Sequence, residues 1–198
     1  MTMAHSPPAQ PGAEASAPRY AGSMIALHWL IALGIIGLLA LGLYMVGLPK
    51  GWPLKATLLN LHKSVGLTVF LLVLLRIMAR VALHRPPLPP MRPWQRAAAR
   101  TTQGLLYVAM VAMPLCGYLG SSFNRFGARF WGLALPQWGW DDAGLRELFF
   151  GLHKAIGYAL IVLIALHVAG ALVLKADAFY TLDKKQARLA TAVGLTIP

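Results

Sequence analysis

Apolar residues fall into four long stretches along the chain, separated by segments rich in proline, glycine and basic residues. About 20 consecutive apolar residues suffice to cross a bilayer as a helix. The pattern predicts spans over about residues 24–46, 58–83, 100–119 and 148–174. Ser23 is placed to cap the first span, and Pro114 falls inside the third, where it predicts a kink. The segment HRPPLPPMRPWQR between the second and third spans cannot be a helix interior, because each proline removes a backbone donor and crowds the preceding turn. Residues 120–147 form the longest connection and carry Phe123, Phe126, Phe130, Trp131, Trp138 and Trp140. Aromatics of this kind settle at the level of lipid headgroups. Residues 1–20, rich in proline and alanine, read as a disordered tail, and residues 177–198 as a basic tail. Between them, residues 21–176 make one domain. The fold class is all-α, an integral membrane four-helix bundle.

Composition agrees with that reading. Hydrophobic residues make up 58% of the chain and charged residues 12%, about half the charged share of a soluble protein. The net charge of +12 comes from 18 basic and 6 acidic residues. The basic residues flank the spans instead of lining one soluble face, which argues for contact with anionic lipid and against nucleic acid. Four spans put both termini on one side. That side would hold eleven basic residues against seven on the other, an asymmetry that predicts cytoplasmic termini. Cys116 is the single cysteine, so no disulfide forms within the chain, and no Cys-x-x-Cys-His run offers covalent haem attachment.

Histidines bring in the chemistry. His153 and His167 lie 14 positions apart in the fourth span. At about 100° per residue they fall about 40° apart on one helix face, separated by a rise of about 21 Å. His28 lies early in the first span and His62 early in the second. Alternating span direction then sorts the four by depth: His28 with His167 near the cytoplasmic surface, His62 with His153 near the outer one. A weak repeat supports the outer pair, since Leu61-His62-Lys63-Ser64-Val65-Gly66 resembles Leu152-His153-Lys154-Ala155-Ile156-Gly157. Gly66 and Gly157 each follow their histidine by one turn, where a missing side chain would leave room for a flat macrocycle. The same offset sets Arg76 opposite His167, which predicts Arg76 at the cytoplasmic level. Polar rings in hydrocarbon are costly and usually functional. Two axial imidazoles per iron fit haem, bound between facing helices. Arg76, Arg80, Lys63 and Lys154 are placed to meet the propionates. Zinc or copper lacks the carboxylate or thiol that would complete a four-ligand site. A proton relay lacks acidic residues in the span centres. His5 in the tail and His84 in the proline-rich loop read as solvated.

These residues resemble a known family. His28-Trp29, His62-Lys63-Ser64-Val65-Gly66, Arg76 and Arg80, the proline-rich basic loop, Ala112-Met113-Pro114 with Gly117, Trp131-Gly132-Leu133-Ala134-Leu135-Pro136 and the two histidines of the last span are similar, in order and spacing, to the prokaryotic cytochrome b561 family. The resemblance covers about Ser23 to Lys175. It implies a bacterial inner-membrane cytochrome with two haem b groups in the bundle core, ligated by His28, His62, His153 and His167. The family often carries a histidine in the third helix shortly before a tyrosine; here Gln103 precedes Tyr107. The family includes a member that oxidises superoxide at the outer face and reduces ubiquinone. The resemblance therefore implies superoxide and ubiquinone as partners, with Lys63, Lys154, Arg125, Arg129 and Arg146 attracting the anion and the loop from Trp131 to Trp140 open to a quinone. The alternative is an electron-carrier subunit for a partner dehydrogenase or hydrogenase.

Overall fold

The computed structural model describes residues 22–49, 51–82 and 91–192, with side chains described as far as Lys175. Four helices follow in order: α1 Gly22–Val46, α2 Lys55–Ala82, α3 Pro93–Ser122 and α4 Ala143–Ala192. All four contain a window apolar and long enough to cross a membrane, that of α4 lying within Ala143–Lys175. The expected tail over residues 1–20, His5 and His84 lie outside the described residues.

Helix α3 starts at Pro93, inside the segment read from sequence as a loop. Proline costs nothing at the first helical position, where its missing N–H has no partner to lose. Gln95 Oε1 accepts a hydrogen bond from the Arg92 N–H at 3.0 Å, which closes the turn from the other side. Helix α4 continues as one helix to Ala192, through most of the segment read as a basic tail.

Packing divides the bundle into two helix pairs. Helix α1 lies along α2, and α3 along α4, while α2 touches α3 less extensively. No comparable packing joins α1 or α2 to α4 among the described residues. Ile31, Val69 and Val73 form the small core of the first pair, with Leu27, Ile35, Leu38 and Val65 against them. Gly34 permits the close approach, since a side-chain carbon there would lie 2.7 Å from Val69 Cγ2. Most large apolar side chains face outward: Leu33, Val108 and Val162 are exposed along the spans. In water such a surface would be untenable, whereas in lipid the outward face needs only to be apolar.

A short hairpin interrupts the connection between α3 and α4. Strands β1 Arg129–Phe130 and β2 Leu133–Ala134 pair antiparallel, Arg129 opposite Ala134 and Phe130 opposite Leu133. The turn is Trp131-Gly132, with φ of 48° and 91°. Positive φ at both central residues marks the two-residue turn whose twist matches the strands. Glycine adopts it freely, while Trp131 does so only because its surroundings hold it.

Gly34→Ala should loosen the α1–α2 pair by about 1–3 kcal/mol through overpacking. Val69→Ala in the same chain should recover part of that loss in a thermal denaturation series.

Candidate functional site

The four histidines meet across the division between the helix pairs. His28 of α1 faces His167 of α4, with ring centroids 6.3 Å apart and planes at 64°. His62 of α2 faces His153 of α4 at 6.2 Å and 72°. All four are partly buried, and none lies fully open to the lipid side. An imidazole–metal bond is about 2.0–2.1 Å, and the bonding nitrogen lies about 1.1 Å from its ring centre. Two rings gripping one atom from opposite sides therefore have centroids about 6.3 Å apart. Both pairs have that separation.

Neighbouring atoms fit a flat group between the pairs unevenly. A side-chain carbon on Gly66 would meet nothing within 4 Å, so the α2 side is open there. On Gly157 it would lie 3.4 Å from Met113 Cε of α3. The two glycines were expected to serve alike. Instead Gly157 is buried in helix packing, because α4 has α3 as its close neighbour and α2 has no counterpart on that side. Among the described residues, no three histidine, cysteine or acidic side chains converge as metal ligands. Each pair supplies two donors, and a metal held there would take its other ligands from a bound group such as a macrocycle.

His153 is positioned by α3. Its Nδ1 lies 2.8 Å from the Met113 carbonyl oxygen. A carbonyl only accepts, so Nδ1 carries the proton and Nε2 keeps a lone pair for a metal. Gly117, one turn along α3 from Met113, leaves the ring its place: a side-chain carbon there would lie 2.9 Å from His153 Nδ1. His62 differs, since its Nδ1 is buried with no hydrogen-bond partner among the described residues.

The basic residues occupy different levels. Arg76 Nη1 donates to the Met24 carbonyl at 2.8 Å, one turn before His28. Arg80 stands over the Tyr107 ring at 5.4 Å and reaches Gln103 Oε1 at 3.5 Å. Gln103, where the family often has histidine, thus borders a guanidinium here. Lys63 Nζ donates to the Gly127 carbonyl at 3.1 Å and ties the loop between α3 and α4 to α2. Lys154 is exposed.

Sequence reasoning gave Ser64 no role beyond its place in the repeat and the motif, and passed over Thr68. Ser64 Oγ donates to the Asn60 carbonyl at 2.9 Å and accepts the Trp131 N–H at 3.0 Å. Thr68 Oγ1 donates to the Ser64 carbonyl at 2.9 Å and accepts the Trp131 indole N–H at 3.2 Å. The hairpin is therefore fastened to α2 beside His62. The available signal was two hydroxyl residues one turn apart in an otherwise apolar run.

Four membrane helices in two pairs, with imidazoles facing each other across the space between them, have the layout of a membrane electron-transfer cytochrome. Known proteins agree with that class. The chain matches the prokaryotic cytochrome b561 family over residues 19–176 and belongs to it, and this family binds b-type haem. Among similar proteins, cytochrome b561 homolog 2 of Escherichia coli K12 is 35% identical over 160 residues, covering 75% of this chain and 80% of the relative. Cytochrome b561 homolog 1 of the same organism is 26% identical over 158 residues, covering 78% and 88%.

Ser64→Ala should strand the Trp131 N–H and cost about 1–3 kcal/mol locally. The expected sign is faster amide exchange at Trp131, with exchange in the centre of α2 unchanged.

Proposed function

We propose that this chain carries electrons through a bacterial inner membrane by way of two b-type haems, with both termini in the cytoplasm. The carrying observation is the pair of imidazole separations, 6.3 Å and 6.2 Å. In this reading His28 and His167 hold the inner group, and His62 and His153 the outer one. When bound, the two groups supply one-electron carriers near opposite membrane surfaces. Arg76 and Arg80 supply cations at the inner level, where propionates need partners. Arg76 keeps further N–H donors beyond the one committed to Met24. Lys63 and Lys154 stand at the outer level.

The reaction that best suits the outer face is superoxide oxidation coupled to ubiquinone reduction. Two superoxide anions each release one electron and become dioxygen; ubiquinone takes up both electrons with two protons. A shallow pocket of about 320 Å³ on this face is lined by Asn124, Arg125, Phe126, Asp141 and Arg146. Arg146 pairs with Asp141 at 3.1 Å. Arg125 lies over the Phe126 ring at 4.9 Å and has no carboxylate partner among the described residues. Its unneutralised charge favours small anions near the outer pair. Trp131, Trp138 and Trp140 are exposed on the same side and offer an apolar approach from the headgroup region.

Rapid mixing of oxidised protein with superoxide should reduce the haems in a fast phase that superoxide dismutase abolishes. The absence of that phase, together with co-purification of a dehydrogenase or hydrogenase, would establish the carrier-subunit reading instead. Substitution tests the pairing separately. Replacing His62 or His153 by alanine should alter the occupancy or spin state of one haem, and replacing His28 or His167 that of the other. Haemochrome quantitation with redox-resolved spectra reads this out, and equal loss of both haems in every variant would contradict it.

A further inference from the structure

The outer pair is not symmetric, and the asymmetry has a chemical meaning. His153 is fixed at three points: its backbone on α4, its Nδ1 on the Met113 carbonyl at 2.8 Å, and its ring seated over Gly117. Its proton is thereby locked on Nδ1, and the bond to the carbonyl fixes the ring's orientation with Nε2 free to bind. His62 has no such partner. Its Nδ1 is buried and unbonded among the described residues, and beside its ring on α1 stands Gly42, where an added carbon would lie at an ordinary 3.5 Å. Packing orients His62, while a hydrogen bond anchors His153.

We infer that His153 is the anchored ligand of the outer haem and His62 the exchangeable one, so that the position on the α2 side is open to a small nitrogen-donor or diatomic ligand. This rests on the reading of His62 and His153 as partners on one iron. A histidine ligand that loses its backbone or carboxylate partner typically loses 10–100-fold in metal affinity. The two sides should differ by about that factor. Met113 acts through its main chain, so it is a positioning residue that side-chain substitution cannot remove; Gly117 is the position from which the contact can be disturbed.

The test uses the full chain purified from haem-replete cells. His62→Gly should keep the outer haem in a high-spin form, and added imidazole should return the low-spin spectrum. His153→Gly should retain the outer haem at least about 10-fold less well in a haem-transfer assay. Where His153→Gly fails to fold, Gly117→Ala replaces it, because the new carbon displaces the ring from the carbonyl. It should weaken retention and perturb the outer spectrum, and Gly42→Ala, its counterpart beside His62, should leave both unchanged. Equal retention in His62→Gly and His153→Gly, or poorer retention in His62→Gly, overturns the inference while leaving the two-haem reading in place. A wild-type chain that holds a single haem, responsive only to substitutions at His28 and His167, overturns that reading and the inference with it.

Discussion

The structure depends on keeping polar rings inside hydrocarbon without stranding them. An imidazole presents two nitrogens, and lipid satisfies neither. The bundle answers by holding its helices as two close pairs and placing the rings in the space between the pairs. Close contact within each pair, through Gly34 against Val69 and Gly120 against Phe150, draws the backbones together. That leaves the other direction free to open. Had α1 or α2 packed on α4 as tightly as α3 does, the rings could not stand 6.2–6.3 Å apart with room for a flat group between them.

The end of the bundle that holds His28 and His167 is built differently from the end that holds His62 and His153. There the chain between α3 and α4 folds back and fastens to α2 through Ser64, Thr68 and Lys63. The hydroxyls that would otherwise turn to their own helix carbonyls also accept from Trp131, so one turn of α2 satisfies a strained hairpin. Tyr118 and Trp138 extend the same platform: the Tyr118 hydroxyl donates to the Pro136 carbonyl and accepts the Trp138 indole N–H at 2.9 Å. The aromatic segment is therefore an ordered cover beside the His62–His153 pair, with Trp131, Trp138 and Trp140 exposed. At the His28–His167 end, cations reach to neighbouring helices: Arg76 donates to the Met24 carbonyl, and Arg80 meets Tyr107 and Gln103.

The spans and the level pairing of histidines were legible in the sequence because both follow from a fixed rise per residue and alternating direction. His28 meets His167, and His62 meets His153, as depth alone requires. Arg76 likewise falls beside the first turn of α1. Contacts made by main-chain atoms were not legible. Nothing in the identity of Met113 announces that its carbonyl will hold His153, and Lys63 reads as a free cation until Gly127 is seen against it. The start of α3 was missed for a related reason: proline excludes helix interiors strongly, so Pro93 looked like loop although the first helical position tolerates it.

The internal repeat shows where pattern stops and neighbourhood begins. His62 with Gly66 and His153 with Gly157 share one spacing and one helix face, yet the two motifs perform different work. Helix α4 runs against α3 along its length, so Gly157 is filled by Met113 and His153 finds a carbonyl. Helix α2 meets α1 through Val69 and Val73, further along its length, and its own glycine opens onto unfilled space while His62 Nδ1 goes unpaired. Equal sequence motifs thus become a hydrogen-bonded and an unbonded imidazole through the helix that happens to lie beside them. A pair of imidazoles matched in spacing need not be matched in strength, and the difference resides in α3, the one helix that contributes no histidine.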